Sequence, residues 1–173
     1  DIYHSSPAIV GKPPGSLSST KIYSEAYYRN NNGYSTFKRD NISRRNIITV
    51  GSNAGMLHAF DNTTGEELWA FIPPSLLSKF QFVPNVAASS TNAIFGVDGS
   101  PVIKDIYYNG SWKTVLLSGL GRGGNSYFAL DITDTLNPKH LFTFQNDPVA
   151  KFVYYWDAAG TKTEHDYGPG KTI

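Results

Sequence analysis

The sequence has no cysteine and a single methionine among its 173 residues. Without cysteine, the chain can form neither a disulfide framework nor a cysteine-ligated metal or redox site. It also lacks a run of 18 apolar residues, so we expect no membrane-spanning helix. The formal net charge of +1 gives no argument for nucleic acid or an anionic membrane as a partner. The chain starts at Asp1 without a methionine or a signal peptide, so we expect a mature or excised piece of a longer protein.

Aromatic residues and turn formers are abundant instead. Tyrosine occurs 11 times and phenylalanine 10 times, and 16 glycines and 10 prolines are spread along the chain. Aromatic side chains pack well on a pleated sheet, whereas glycine and proline mark turns. The composition therefore predicts an all-β fold with many turns.

Short apolar runs between turn signals predict the individual elements. Asn109-Gly110 is a strong signal for a two-residue hairpin, and a short helix capped by Ser75 is expected at residues 75–80. The polar segment at residues 12–45, with a turn at NNNG (residues 30–33), is predicted to be a long insertion between strands. The strands are predicted at residues 2–10, 46–51, 56–61, 67–72, 99–106, 112–118, 127–132, 140–144 and 152–156.

An internal repeat organises these strands. VGSNAGMLHAFDNTTGEELWAF at residues 50–71 aligns with LSGLGRGGNSYFALDITDTLNPKHLFTF at residues 117–144, and SPAI at residues 6–9 matches SPVI at residues 100–103. Each unit holds four antiparallel strands, which is the shape of a propeller blade. We expect residues 1–173 to be a fragment of one β-propeller domain with long loop insertions. Its two blades would occupy residues 1–72 and 97–145, and the start of a further blade would follow.

The sequence motifs of the repeat resemble those of known propellers. Residues 55–69 match the motif GxLxAxDxxTGxxxW, which is shared by quinoprotein-type blades. The closer resemblance is to the C-terminal propeller of the PilC/PilY family, the tip-associated proteins and adhesins of bacterial type IV pili. It covers roughly residues 1–145 and is specific, because separate blocks occur in the order of the family. The blocks are DIYHSSP (residues 1–7), VGSNAGMLHAFD with ELWAFIP (50–73), VDGSPVIKD (97–105) and WKTVLLSGLGRGGNSYFALDIT (112–133).

This resemblance implies a non-catalytic binding propeller that takes part in pilus biogenesis and adhesion. It implies a protein secreted through the periplasm and outer membrane to the pilus tip at the bacterial surface. The implied partners are minor pilins or the pilus tip complex, the rest of the parent chain, and a host or abiotic surface. Family members can carry a calcium loop of the form D-x-[DN]-x-D-G, which this sequence lacks. We therefore expect no cofactor in this chain, and any calcium site in another part of the parent protein.

Two structural carboxylates and one contact loop are the candidate site residues. Asp61 and Asp131 end equivalent strands, where a carboxylate can accept the N–H groups of the following turn. We interpret both as structural turn carboxylates. The insertion carries a candidate partner-contact loop, because exposed tyrosine makes good contact surface; the alternative is that the insertion covers neighbouring protein. The tyrosines of this loop are Tyr23, Tyr27, Tyr28 and Tyr34.

Motifs that suggest enzymes fit structural roles better. The G-x-G-x-x-G pattern at residues 119–124 precedes a predicted strand, whereas a dinucleotide site needs a helix there. We expect its glycines to form a wide turn, with a backbone anion nest as the alternative. Glu66 and Glu67 are adjacent and point to opposite faces of a strand. The four histidines show no metal-ligand spacing.

Two other functions stay open at this point. A fragment of a quinone-dependent dehydrogenase propeller would need a calcium ion in the central channel, a catalytic aspartate and often a vicinal cysteine pair. A periplasmic scaffold propeller would have leaner repeats and shorter loops.

Overall fold

The computed structural model, which describes residues 1–80 and 95–171, contains ten short strands and two short α-helices. Residues 81–94 and the last two residues lie outside this described part; the sequence predicts a loop from the short helix to Phe95, and almost all of it falls there. The strands are β1 (Ala8–Val10), β2 (Ile47–Gly51), β3 (Leu57–Asp61), β4 (Glu67–Phe71), β5 (Val102–Tyr108), β6 (Ser111–Gly119), β7 (Ser126–Asp131), β8 (Lys139–Asp147), β9 (Phe152–Trp156) and β10 (Lys162–Asp166). The helices are α1 (Glu25–Asn31) and α2 (Tyr34–Asp40).

The strands form two antiparallel sheets. The first sheet has the order β1-β2-β3-β4, and the second has the order β10-β9-β8-β7-β6-β5. Within each sheet, consecutive strands pair with one another, as expected for meandering blades. The predicted fold class is confirmed: the chain is an all-β partial β-propeller. We call β1–β4 the first blade and β5–β8 the second blade.

The two blades share one register. Ala59 pairs with Trp69 in the first blade, and Ala129 pairs with Phe142 in the second. A β-bulge follows directly after Ala59 and again directly after Ala129. Bulges twist and bend a strand, so the repeated bulge gives both blades the same local shape. The repeat in the sequence is therefore also a repeat in three dimensions.

The apolar core lies between the two sheets. The Phe71 ring of the first blade is 5.3 Å from the Phe128 ring of the second. Trp69 Nε1 donates a hydrogen bond of 2.9 Å to the Thr135 carbonyl oxygen, so its polar atom is satisfied at the same junction. The buried cluster consists of Val10, Ile47, Leu57, Ala59, Leu76, Val97, Leu116, Leu120, Phe128, Leu130 and Ile132. Neither blade can bury this surface alone, which is why propeller blades stack.

The first strand is shorter than predicted. It begins at Ala8, because Pro7 lacks a backbone N–H for the ladder. The residues before it bond to the second blade instead. Ser5 Oγ donates to the Gly99 carbonyl oxygen at 3.1 Å and accepts from the Gly51 N–H at 2.9 Å. The predicted strand over residues 2–10 is therefore wrong before Ala8, where the chain forms a bridge between blades.

The insertion between β1 and β2 contains α1 and α2, which the sequence did not predict. Ser24 caps α1, since its Oγ accepts the Tyr27 N–H at 3.2 Å. The predicted turn lies between the helices, where Gly33 has a φ of 71°. Glycine adopts this left-handed conformation at little steric cost.

The short helix after β4 begins one residue earlier than predicted. It is a 3-10 helix over Pro74–Lys79 with Pro73 at the N-cap position, because proline is preorganised for a first helical turn. Ser75 is therefore not the cap. Its Oγ instead forms a hydrogen bond of 2.8 Å with Ser126 Oγ of the second blade.

The segment after residue 145, where we expected a further blade to start, adds β9 and β10 to the edge of the second sheet. The domain limits and the division into blades at residues 1–72 and 97–145 stay a prediction.

None of the helices in the described residues is long and apolar enough to cross a membrane.

Candidate partner-binding surface

Asp61 lies at the end of β3 and organises the turn that follows. Its Oδ1 accepts the N–H groups of Thr63 and Thr64, both at 2.8 Å, and its Oδ2 accepts a hydrogen bond from Arg45 Nε. The Asp61 side chain is 3% exposed, so its charge is well shielded from solvent. The Arg45 guanidinium and the two N–H groups hold the pKa of the Asp61 carboxyl well below its usual range.

Asp131 has the same position at the end of β7. Its Oδ1 accepts the Thr133 N–H at 3.0 Å and the Thr133 hydroxyl at 2.7 Å, and its Oδ2 accepts Lys113 Nζ at 2.7 Å. Burial raises the pKa of this carboxyl, but the bonds from Lys113 and Thr133 outweigh burial and leave the pKa below its usual value. In both blades, a buried carboxylate thus joins a turn to a basic side chain.

Arg45 and Lys113 were missed in the sequence, although a signal for them exists. Ile47 pairs with Asp61, and Val115 pairs with Asp131. In each blade, a basic residue stands two positions before the strand partner of the aspartate. This spacing is the same in both units, so the repeat itself could have identified the ion pairs.

The structure separates the four tyrosines of the insertion into two groups. Tyr23 is 95% exposed, Tyr27 38% and Tyr28 48%, whereas Tyr34 is 0% exposed. Tyr34 must therefore be removed from the candidate contact loop, because a fully buried ring cannot reach a partner. The remaining exposed tyrosines (Tyr23, Tyr27 and Tyr28) lie on or directly before α1, and we call them the tyrosine surface.

Tyr34 anchors the insertion to the second blade. Its hydroxyl donates a hydrogen bond to Asp105 on β5 and accepts the Gly15 N–H at 3.0 Å. Its ring lies edge-on against Trp112, with 4.7 Å between ring centroids. Burial, followed by the hydrogen bond to Asp105, raises the pKa of Tyr34 to about 12. The hydroxyl is thus a buried proton donor to a carboxylate.

Charged and aromatic contacts attach α1 to the same hairpin. Glu25 binds Arg29 of its own helix and Lys104 of β5, both at 2.6 Å. Trp112 Nε1 donates to the Asn32 carbonyl oxygen at 2.7 Å, and the Tyr28 ring is 6.2 Å from the Trp112 ring. The insertion of the first blade therefore covers the β5–β6 hairpin of the second. The sequence analysis left open the alternative that the insertion covers neighbouring protein, and this contact agrees with that alternative. The tyrosine surface nevertheless still faces solvent.

One face of the second sheet lacks a covering element in the described residues. Leu117 is 41% exposed, Tyr127 49% and Phe144 37%. Phe142 and Tyr155 lie on the same side of the sheet. The rings of Tyr127 and Phe144 stack there, with 5.5 Å between their centroids. We call this surface the open face, made of Val102, Leu117, Tyr127, Phe142, Phe144 and Tyr155.

Ser52, His58 and Glu67 form a row that resembles a nucleophile, a base and an orienting group. Ser52 Oγ is 3.0 Å from His58 Nε2, and His58 Nδ1 is 2.7 Å from Glu67 Oε1. Ser52 is only 5% exposed, and its Oγ also donates to the Met56 carbonyl oxygen at 3.3 Å. The row joins β4 to the turn between β2 and β3, and a buried hydroxyl offers a substrate no access.

The glycine-rich segment after β6 forms a short 3-10 helix over Gly121–Gly123 and then enters β7. A dinucleotide site would need a long helix at this point. A Cβ atom on Gly123 would lie 1.7 Å from the Gly96 carbonyl oxygen, so close backbone packing requires glycine here. Across residues 1–80 and 95–171, no group of three or more acidic or histidine side chains could hold a metal ion.

Comparisons with known proteins agree with this architecture. The family model described as the PilY1 beta-propeller domain matches residues 1–150. The type IV pilus biogenesis factor PilY1 of Pseudomonas aeruginosa is 38% identical over 154 residues, which cover 89% of this chain and 13% of that protein. A PilY1 homolog of Xylella fastidiosa is 37% identical over 147 residues, 82% of this chain and 11% of that protein. The chain thus spans only a small part of the length of these relatives.

A solved structure extends the similarity to the fold. The crystal structure of the Pseudomonas aeruginosa PilY1 C-terminal domain matches 95% of this chain and 38% of its own chain, with a TM-score of 0.58 and 28% identity. The match includes both sheets, and the family model covers both blades. The earlier resemblance is therefore confirmed, and the chain belongs to the PilY1 β-propeller family.

Proposed function

We propose that this chain is part of the propeller of a type IV pilus biogenesis factor and acts there as a non-catalytic binding module. The observation that carries the proposal is the family match over residues 1–150, together with relatives that are named type IV pilus biogenesis factors. The same match favours this function over a dehydrogenase fragment or a periplasmic scaffold.

The open face supports the view that the ring continues with further blades of the parent chain. Its residue Tyr127 is 49% exposed, whereas the equivalent residue of the first blade, Leu57, is 0% exposed. Leu57 is covered because the second blade packs on that side of the first sheet. By the same geometry, a third blade would cover Tyr127 and its neighbours. Large uncovered apolar patches usually mark such interfaces.

The tyrosine surface is the part of this module that we propose to contact a pilus partner. It is attached firmly to the second blade through Trp112 and Glu25, yet it leaves three aromatic side chains in solvent. Rigid tyrosines bind with a small loss of conformational entropy. The proposed partners are minor pilins or the pilus tip complex, and through the tip a host or abiotic surface.

The location and cofactor content follow from the same role. A pilus tip protein is secreted through the periplasm and outer membrane to the cell surface. We propose that this chain itself needs no cofactor. Any calcium site would lie in another part of the parent protein, because the D-x-[DN]-x-D-G loop does not occur in this sequence.

The experiment is a complementation test in the bacterium that encodes the protein. The gene is deleted and then restored with a tagged wild-type copy, a Tyr23→Ser copy or a Tyr108→Ser copy. Tyr108 is 59% exposed and lies outside the insertion, so it is a matched control. Surface pili are counted by electron microscopy, and minor pilins are assayed in affinity eluates.

We expect the deletion to reduce pilus number and the wild-type protein to co-purify with minor pilins. Tyr23→Ser should weaken this association, whereas Tyr108→Ser should not. Normal piliation after deletion, with no pilin in the eluate, would overturn the pilus function. Equal behaviour of the two tyrosine variants would overturn only the tyrosine surface as the contact site.

A further inference from the structure

A cavity of about 300 Å³ lies between the first strands of the two blades and the insertion. Its walls come from β1, β5, β6 and the segment that precedes β2, and include Val10, Gly15, Tyr34, Arg44, Ile103 and Thr114. Ligand pockets have volumes of about 300–1,000 Å³, so this cavity suits a small molecule.

The cavity wall carries a marked excess of positive charge. Four basic residues line it, against the single carboxylate of Asp105. Both oxygens of Asp105 already accept hydrogen bonds from neutral groups, the Tyr34 hydroxyl and Thr114 Oγ1. Two of the cations, Arg29 and Lys104, share Glu25. The other two, Lys12 and Arg44, have no carboxylate within 4.0 Å among residues 1–80 and 95–171.

Arg44 is held in place by neutral acceptors. Its Nε donates to the Gly11 carbonyl oxygen at 2.6 Å, and its Nη1 donates to Thr114 Oγ1 at 2.7 Å and more weakly to the Thr133 carbonyl oxygen at 3.5 Å. Within the part of the chain that the structure describes, Nη2 has no acceptor. Burial lowers the pKa of the Arg44 guanidinium, and the attraction of the Asp105 carboxylate offsets this only in part. A fixed guanidinium with a free N–H edge is a preorganised anion donor.

Lys12 stands beside the same opening. A second, more open cavity shares Ile9, Gly11, Lys12 and Arg44 with the first, so these residues lie where the two cavities adjoin. The side-chain amine of Lys12 has no hydrogen-bond acceptor among the described residues. A flexible ammonium group can reorient toward an anion without first breaking an existing ion pair.

We propose that this cavity binds the carboxylate or phosphate group of a small molecule, with Arg44 Nη2 and Lys12 Nζ as the charged donors. The apolar side chains of Ile9, Val10 and Ile103 would contact the uncharged part of the ligand. The site depends on both blades and on the insertion, so neither blade forms it alone. It is independent of the proposed pilus function.

Isothermal titration calorimetry at about 0.15 M ionic strength tests this site on the purified protein. The probes are inorganic phosphate, acetate and D-glucuronate, with D-glucose as the neutral counterpart of the sugar acid. Lys12→Gln removes a cation that has no ion-pair partner among residues 1–80 and 95–171, and Arg44→Gln removes the fixed guanidinium. Lys151→Gln is the matched control, because Lys151 is exposed and lies in the turn between β8 and β9.

We expect at least one of the three anions to bind while D-glucose does not. Each of Lys12→Gln and Arg44→Gln should weaken that binding about 10-fold to 100-fold, the range for one charged hydrogen bond. Lys151→Gln should bind like the wild type. Binding by acetate and D-glucuronate without phosphate identifies a carboxylate site, and the reverse identifies a phosphate site. Absence of binding by all three anions, or equal binding by wild type and Lys12→Gln, overturns the proposal.

Discussion

Tyr34→Phe is the substitution that most directly tests how the insertion is held on the second blade. It removes one hydroxyl that donates to Asp105 and accepts the Gly15 N–H at 3.0 Å. The ring and its contact with Trp112 at 4.7 Å remain, and Asp105 retains Thr114 Oγ1 at 2.6 Å. A hydrogen bond to a charged group contributes about 1.5–3 kcal/mol. We expect the free energy of unfolding to fall by about 2 kcal/mol and Tm by about 4–8 °C.

The assay is equilibrium denaturation followed by tryptophan fluorescence, with Trp112 as a reporter beside the substituted ring. Tyr23→Phe is the matched control, since Tyr23 is 95% exposed, and it should change the free energy of unfolding by less than about 0.5 kcal/mol. If both variants unfold at the same denaturant concentration, the buried hydroxyl does not anchor the insertion and this reasoning is refuted.

The same hydroxyl predicts a pH dependence with a defined sign. The pKa of Tyr34 is raised from 10.0 to about 12 by burial and by its bond to Asp105. The folded state therefore holds this proton more tightly than the unfolded state. The associated stability is complete below about pH 10 and is lost as the pH rises toward about 12. Tyr34→Phe should lack this decline, and an identical alkaline decline in both proteins would exclude Tyr34 as its source.

Three further predictions concern the blades themselves. Because the pKa of Asp61 is depressed in the folded state, stability should fall as the pH drops through the acid range. Asp61→Asn should flatten this decline in acid titrations, and the exposed control Asp40→Asn should not. Leu57→Ala should lower the free energy of unfolding by about 2–5 kcal/mol. Tyr127→Ala, at the equivalent exposed position, should lower it by less than about 1 kcal/mol when this chain is denatured with urea. Equal losses in the two variants would contradict the exposure of the open face. Gly123→Ala should cost about 1–3 kcal/mol, because its Cβ would lie 1.7 Å from a carbonyl oxygen; an unchanged Tm would show that this backbone contact can relax.

The repeat was the most informative property of the sequence. It predicted four strands in each unit and the position of Asp61 and Asp131 at strand ends. The Asn109-Gly110 dipeptide separately predicted a hairpin. In the structure, Asn109 and Gly110 have φ angles of 49° and 77°, as a primed hairpin turn requires. These features are local: a two-residue alternation, a turn dipeptide and a repeated phrase depend on residues that are close in sequence.

The elements that the sequence did not predict depend on distant contacts. Helices α1 and α2 have seven residues each, too few to be stable alone, so their formation depends on packing against the β5–β6 hairpin. Tyr34 and Tyr23 lie in the same polar, tyrosine-rich insertion, yet Tyr34 is buried and Tyr23 is exposed. The difference arises because Tyr34 lies opposite Trp112, 78 positions away in sequence by the residue numbers.

The sequence by itself determined the class of fold, the repeat of the blade and the family, because each of these depends on patterns of residues that are close together in the sequence. Only the tertiary structure decided which surfaces are covered. It placed the insertion of one blade on the next and left the face around Tyr127 open. It also set Arg44 in a cavity where, among the described residues, no carboxylate lies within 4.0 Å of the guanidinium. Burial and charge compensation depend on segments that are far apart in the chain, and these meet only when the blades stack.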